Sequence, residues 1–597
     1  MSTRGQVPDP TRRRVLAAAG VGAAAATSGC LGRLRSIFGW QIDGSVSLKI
    51  GTLPADTDPY ALRIARQVKA WFSAAGINTQ VVPTAEKELR QQVLLQHGFD
   101  VFVGRMPHAE PRPDTLYSLL HSTGVPSPGW QNPFGYANLG VDDLLETQRR
   151  TTGQERRNAV AAMQRSLART QPFSIVGFPD DIRAVRTDRY ANWENADLRS
   201  PLGYLALSRA EGEVETPGEL RVVTTRGRTV GNLNPLAVEF RDRGPITDLL
   251  YDSLGRRYGE NGGIEPWLAT SWQFVENSET PRLDVQLRPN AVWHDGKSLT
   301  AEDVRFTYEF LADTSARDSD NVIPVPRYRG ESSLVDEVRV LGDDRIEIAF
   351  TDCSRAVAMR ALTVPILPAH VWRQRRNPAT IGGVTVSDVV TEALVTDNTP
   401  PVGSGPLQFD GNPSGRLALT RFDDHFLHTG AQFDGPAWLQ NGVAFDRLVV
   451  RVAVSELTAA GSVADGTVDA AVSPLGAKAL PRIEDSDDAQ KLVEQSPSFY
   501  FVGYNARRSP LTNPRFRNLL GRLIDKEYLV ENVFEGHATP AASPLAGSDW
   551  LPTDLEWGDG DPMTPFYGSD GTLDEERVEK ALETAGYQYD AGDVVKR

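Results

Sequence analysis

Ser47-Leu48-Lys49-Ile50-Gly51-Thr52 alternates polar and apolar residues, as a half-buried strand does. Pro59 then opens a predicted helix with the apolar stripe Leu62, Ile64, Val68, Trp71, Phe72 and Ala75, and Gly76 ends it. Ile77–Val82 reads as a second strand. Glu86–His97 reads as a helix with Leu89, Val93 and Leu94 inward, and Asp100–Gly104 as a third, continuously apolar strand. Strand–helix–strand–helix–strand at this spacing predicts a βαβαβ unit with a parallel sheet, so the fold class is α/β.

Outward from this unit the chain carries other local signals. Upstream, Thr11-Arg12-Arg13-Arg14-Val15-Leu16 precedes an apolar run Ala17–Ala26 and then Thr27-Ser28-Gly29-Cys30. A twin arginine, a weak apolar region and small residues ending in cysteine form an export signal of the twin-arginine lipoprotein type, with Cys30 as the lipid-bearing residue. The run is too short for a membrane span, which needs ~20 apolar residues. Residues 31–45 read as a tether, and the mature protein is expected to be soluble and held outside the cytoplasmic membrane. Cys353 is then left without a partner and reads as a small core residue. Downstream, residues 211–218 form an acidic linker broken by Pro217 and Gly218. Thr300 and Asp303 fit a capping box ahead of a helix at Val304–Ala312. The last helix is Leu573–Ala585, ended by Gly586, and residues 549–572 read as a long surface loop.

Composition narrows the class. The 597 residues carry a net charge of −15, which argues against a nucleic-acid partner. Two cysteines exclude a disulfide framework, and 40% apolar residues exclude global disorder. Lysine occurs nine times against 54 arginines. An acidic, lysine-poor surface is haloarchaeal-like: carboxylates hold water and hydrated cations while dense salt screens their repulsion. A high-GC genome also trades Lys for Arg but does not account for the acidic excess.

A longer motif adds a resemblance. Ile264-Glu265-Pro266-Trp267-Leu268-Ala269-Thr270-Ser271-Trp272 leads to Leu287-Arg288-Pro289-Asn290-Ala291-Val292-Trp293-His294-Asp295-Gly296-Lys297-Ser298-Leu299-Thr300-Ala301-Glu302-Asp303-Val304. Pro401-Val402-Gly403-Ser404-Gly405-Pro406-Leu407 follows, and later Phe501-Val502-Gly503-Tyr504-Asn505 and Leu523-Ile524-Asp525-Lys526. Together these resemble extracytoplasmic solute-binding protein family 5, the dipeptide-, oligopeptide- and nickel-binding proteins of ABC importers. The order departs from that family. Ala585-Gly586-Tyr587, which the family follows directly with a strand and the βαβ unit, stands at the C-terminal end, and the expected continuation Leu48–Thr52 stands near the N-terminus. The family's first strand matches Leu220–Thr224. This order predicts a circular permutation, with the old termini joined through residues 211–218.

The resemblance implies a two-lobed, periplasmic-binding-protein-like (type II) fold with a hinge. Lobe I is expected at 219–475, with a returning strand near 200–210. Lobe II is expected at 476–597 together with 46–195. The ligand, a peptide-like or other small polar solute, would lie between the lobes. The expected partners are that solute, ABC permease subunits and the membrane that holds the Cys30 lipid, with a monomeric chain and no cofactor or metal. A ligand-sensing receptor without transport and a lipid-anchored hydrolase are the alternatives. The chain has no GxxxxGK[ST], HExxH or GxSxG pattern, which argues against an enzyme.

Candidate ligand contacts follow from position. Thr225, Arg226 and Asn232 lie in or beside the loop after the first lobe I strand, where ligands approach strand ends. Gly403, Ser404 and Gly405 offer backbone groups to an extended ligand. Asn505 ends the second-lobe entry strand. Peptide-binding members carry Gly-Trp-x-x-Asp after the strand matching Asp100–Gly104; here Arg105 replaces the Trp and His108 the Asp, with Glu110 two residues on. This departure favours an anionic or polar ligand over a free amine, since Arg forks onto carboxylate. Trp293, His294 and Asp295 read as fold residues, and His425 and His428 as part of a solvated acidic loop with Asp423 and Asp424.

Overall fold

The computed structural model describes residues 45–597 apart from 108–111, 211–217, 238–243, 260–261, 317–321, 382–383, 386–389, 413–414, 430–432, 434, 441–442, 591 and 597. The expectations at Cys30, His108 and Glu110 therefore lie outside the described residues. No helix among the described residues is long and apolar enough to cross a membrane.

The fold is mixed α/β around one twelve-stranded sheet. Its strands are β1 (Ser47–Thr52), β2 (Asn78–Pro83), β3 (Val101–Arg105), β4 (Phe173–Arg186), β5 (Glu219–Thr224), β6 (Leu407–Gly411), β7 (Leu417–Arg421), β8 (Arg447–Val452), β9 (Ala470–Ala471), β10 (Ala489–Gln495), β11 (Tyr500–Tyr504) and β12 (Ala538–Pro540). The order across the sheet is β6-β7-β8-β5-β9-β4-β11-β3-β1-β2, with β10 and β12 also on β4. β1 is parallel to β2 and β3, as the βαβαβ reading expects.

The helix after β1, α1 (Ala61–Ala74), buries Leu62, Ile64, Val68, Trp71 and Phe72, the stripe seen in the sequence. Asp58 starts it: its Oδ1 accepts the N–H groups of Tyr60 and Ala61 at 3.0 and 2.9 Å. Gly76 stops it in the left-handed region, with φ +79°. The next helix differs from expectation. It is α-helical only over Glu86–Arg90 and then widens into a π-turn over Gln91–Leu95, while Leu89, Val93 and Leu94 still point inward.

β4 explains how one sheet serves two lobes. Its 14 residues are too many for one partner. The first half pairs with β11 and β12, and the second half, from Asp180, pairs with β10 and then β9. The chain crosses between halves along β4 and returns from β10 to β11 through Ser496–Phe499. Helix Leu480–Glu484 packs with Glu456–Ala464 in one apolar cluster beside Ile182 and Val223, so the chain just after residue 475 stays with the β5 half until this return. A separate four-stranded antiparallel sheet, Ala269–Phe274, Arg282–Leu287, Arg345–Phe350 and Val335–Gly342, belongs to the same half. Helix α2 (Ala301–Ala312) packs on it and opens with the Thr300/Asp303 capping box.

The C-terminal hairpin, Tyr587–Asp590 with Asp593–Lys596, lies against the start of β1. Val46 N–H donates to the Val594 carbonyl at 2.8 Å, and Val594 N–H to the Gly76 carbonyl at 2.8 Å. Residues 549–572 are not a free loop. Lys526, 4% exposed, donates to Asp561 Oδ2 at 2.5 Å, and Asp561 Oδ1 accepts the N–H groups of Met563 and Thr564. A buried ammonium requires such a partner, and this pins the segment. Cys353 is buried, and burial pushes its thiol up to about 11.

Candidate functional site

A cavity of about 580 Å³ opens where the two halves of the sheet face each other. One wall comes from the β3 half and carries Arg112, Thr115, Ser118, Trp130 and Gln131. The facing wall comes from the β5 half and carries Tyr251, Arg256, Arg257, Arg327, Glu331 and Arg360. Asp197, Arg199 and Pro497 close it beside the crossing strands. This volume falls in the usual range for small-molecule pockets.

The floor beside the crossing is a buried ion network. Asp181 of β4, 3% exposed, accepts from Arg105 Nη2 at 2.8 Å and from Arg199 Nη1 at 3.1 Å. Arg105 also donates to Ser496 Oγ at 2.7 Å. Burial by itself raises the Asp181 carboxyl, but Arg105, Arg183 and Arg199 overcome it and hold it at about 2. Arg199 reaches on to Asp197 and Glu494 at 2.8 and 3.0 Å.

A second network ties the two walls together. Asp114, 1% exposed, accepts from Gln148 at 2.9 Å and from Arg149 Nε at 2.5 Å on its own side. From the opposite wall it takes Arg360 Nη1, and Arg360 also binds Glu331. Arg149 crosses in the other direction, to the Gly330 carbonyl at 2.9 Å and Ser333 Oγ at 3.2 Å.

The structure brings some sequence candidates together and not others. Arg105 and Arg226, from the ends of β3 and β5, converge on the same charged region with Arg90, Glu86 and Asp181. Arg226 is solvent-exposed and does not line the cavity described above. Thr225 holds the same loop end, its N–H donating to Ser473 Oγ at 3.0 Å. Asn232 is buried and caps the turn to Asn234 at 2.9 Å. Asn505 is fully buried and spends its amide on the carbonyls of His97 and Phe99 at 3.0 and 2.8 Å.

Gly403 and Gly405 face the chain itself. A Cβ on either would sit 1.8 Å from the Leu250 carbonyl oxygen or 2.3 Å from that of Leu249. Gly405 N–H donates to Leu250 O at 2.9 Å, and Ser404 Oγ accepts from Asp252 N–H at 3.3 Å. His294 clamps this loop: its Nδ1 accepts from Gly403 N–H at 3.2 Å and its Nε2–H donates to Gly405 O at 3.1 Å. Burial lowers His294 to about 4, which keeps the ring neutral and able to do both. The Trp293-His294 and Gly403–Gly405 motifs therefore interlock, with Trp293 fully buried.

The solvated-loop reading of His425 is overturned. His425 is 3% exposed, with Nε2 3.3 Å from Asp252 Oδ2, because Asp252 is buried under Trp267 and needs a compensating cation or donor. No metal-holding group of three His, Cys, Asp or Glu occurs among the described residues. Sequence reasoning missed most cavity residues. Arg112, Trp130, Arg199, Arg256, Arg257, Arg327 and Arg360 come from separate segments, and nothing local marks them as parts of one cavity.

Two α/β halves, joined by β4 and by the return through Ser496–Phe499, thus face each other across a charged cavity. The sequence pattern of bacterial extracellular solute-binding proteins, family 5 Middle, matches residues 263–596, more than half of the chain, and the chain belongs to this family. A binding protein of Brucella melitensis is 24% identical over 380 residues, 60% of this chain and 56% of that one. The oligopeptide-binding protein AppA of Bacillus subtilis is 22% identical over 355 residues, 58% of this chain and 56% of AppA. The chain thus spans little more than half the length of the curated relatives it matches. AppA in complex with a nonapeptide is also among the similar solved structures, with TM-score 0.46, 20% identity and coverage of 64% of this chain and 67% of AppA.

Proposed function

We propose that this protein is a lipid-anchored extracytoplasmic receptor that captures a peptide-like or other small polar solute between its lobes and delivers it to an ABC importer. The observation that carries the reading is the cavity of about 580 Å³ whose walls come from both halves of the sheet, in a family 5 chain. Closure on a solute removes it from water and creates the surface a permease can distinguish from the open form. The twin-arginine segment and Cys30 supply export and the anchor, and the acidic surface suits salt outside the cell. Mass spectrometry of solute released from protein purified in multimolar salt tests the reading. A defined small polar molecule at about one per chain supports it, and an empty protein that binds no solute from a peptide and metabolite panel rejects it.

The circular permutation belongs to the same proposal. The contact of Val46 with Val594 brings the start of the described chain beside the C-terminal hairpin, which supports this reading. The family pattern also runs unbroken from 263 to 596, downstream of the βαβαβ unit. A variant that joins residue 596 to residue 45 by a short linker and opens the chain in 211–218 is expected to fold and bind as the parent does. Loss of folding in that variant would count against the permutation.

A further inference from the structure

Asp252 stands between Tyr251 and Ser253, which line the cavity, and turns its own carboxylate into the protein, to Trp267 Nε1 at 2.7 Å and towards His425 Nε2 at 3.3 Å. The Gly403–Gly405 loop packs on this stretch of wall. Gly405 N–H donates to the Leu250 carbonyl at 2.9 Å, and Ser404 Oγ accepts from Asp252 N–H at 3.3 Å. His294 holds the same loop three times. Its own N–H donates to the Gly403 carbonyl at 2.8 Å, its Nδ1 accepts from Gly403 N–H at 3.2 Å, and its Nε2–H donates to the Gly405 carbonyl at 3.1 Å. The two ring bonds need a neutral imidazole, since only then is one nitrogen an acceptor and the other a donor. A second proton has to sit on Nδ1, where it meets the Gly403 N–H, donor against donor. The loop has no room to give towards the wall, because Gly403 and Gly405 already lie against the Leu250 and Leu249 carbonyls, where a Cβ would stand 1.8 or 2.3 Å away. It can only move off the wall.

We infer that His294 is an acid-sensitive clamp on the cavity wall: neutral, it holds the Gly403–Gly405 loop against Leu249–Asp252, and a proton on Nδ1 frees the loop and loosens that wall. The clamp goes beyond the receptor reading and stands without it; in a receptor, the loosened wall would hold solute less tightly in acid. Among the described residues, the charged groups that face His294 are Asp252 and Asp295, which favour a proton on the ring, and His425, which opposes one. Asp252 is itself faced by Arg256 at 3.6 Å, and Asp295 is engaged by Lys297 and His370 at 3.0 and 2.8 Å. Beyond His425 stand His428, Arg421 and Asp423. Burial outweighs the carboxylates and lowers the ring from 6.5 to about 4. The clamp is therefore whole above about pH 6.5, weakens as pH falls, and is lost through about pH 4.

The test is amide hydrogen exchange of the full-length protein in high salt, read by mass spectrometry between about pH 7.5 and about pH 4.5 and corrected for the intrinsic pH dependence of exchange. Peptides covering Gly403–Gly405 and Leu249–Asp252 report the clamp, and peptides covering β1 and β3 report the rest of the fold. Exchange at Gly403, Gly405 and Asp252 is expected to quicken about tenfold or more across this range while β1 and β3 stay protected. His294→Asn keeps an acceptor near Gly403 N–H, His294→Gln keeps a donor near the Gly405 carbonyl, and neither side chain titrates. In both variants exchange of the loop is expected to be flat with pH, whatever its level. A flat profile in the parent, or a rise shared equally by β1 and β3, overturns the clamp. So does a variant that keeps the parent's pH step. The parent's own profile decides whether the opening is local, so the inference remains open to refutation if both variants fail to fold. None of these readings depends on a solute, and failure of the clamp leaves the receptor role standing.

Discussion

Asp181 and Asp114 are both buried carboxylates gripped by arginines, yet they do different work because of where they stand. Asp181 sits on β4, the strand that runs through both halves, and its partners Arg105 and Arg199 lie beside the crossing. Rotation about a hinge displaces groups near the axis least, so the proposed closure would leave this network in place. Asp114 and Arg149 lie out on one wall and meet Arg360, Glu331 and Gly330 on the other. There the same rotation separates partners. If the lobes close as proposed, identical chemistry serves as a pivot in one place and as a latch in the other, and distance from the axis decides which.

The comparison breaks first at Asp181. Asp181→Ala leaves Arg105, Arg183 and Arg199 crowded in a buried site without their shared anion. The expected loss is ~3–5 kcal/mol, the usual cost of removing one partner of a buried pair. Denaturant unfolding in high salt measures it. If the loss is under about 1 kcal/mol, Asp181 is no pivot, and water or Glu494 has taken its place.

Acid gives a finer reading of the same network. Asp181 is held near 2, below its ordinary value of 3.8, so its contribution is full above about pH 4 and disappears as pH falls through about 2. His97, His294 and His428 are held near 4 by burial, so their contribution is lost earlier, as pH falls from about 6.5 to about 4. Two successive losses of stability are expected on acidification. Asp181→Asn shrinks the second, which Asp561, held to about 2 by Lys526, also carries, and spares the first. A single loss complete by pH 4 would show that the pivot carries no charge-linked stability.

The sequence exposes these two networks unequally. β1, β3, β5, α1 and the capping box of α2 were legible because each is fixed by neighbours within a few residues. The Trp293-His294 and Gly403–Gly405 motifs were legible as family marks, and their interlock across about a hundred positions explains why both are needed. Arg226 stood out because strand ends are where ligands approach, and Arg105 because it stands where the resembling family carries Trp. The latch left no trace. Asp114 and Arg360 stand 246 positions apart, and nothing local marks either as one half of a pair. The cavity arginines are hidden for the same reason, since each comes from its own segment and only the fold sums their charge. His425 was misread because Asp423 and Asp424 beside it suggest a wet loop, while the carboxylate it meets is Asp252.

The latch yields the smaller effects, and they sharpen the comparison most. Arg360→Met keeps the packing stem but removes the cation that joins Asp114 to the other wall. Asp114 retains Arg149 and Gln148, so the fold survives, unlike Asp181→Ala. The expected result is a ligand-free protein that spends more time open, with a larger radius of gyration by small-angle scattering. Solute affinity should fall about tenfold, which corresponds to ~1.4 kcal/mol of closing energy. Arg149→Lys is milder. It keeps a charge beside Asp114 but loses the planar fork that serves Asp114, Gly330 and Ser333 together, and a few-fold weaker affinity with unchanged stability is expected. If both variants lower stability as much as Asp181→Ala and leave the radius of gyration alone, the two networks are one rigid unit, and the lobes do not part at Asp114.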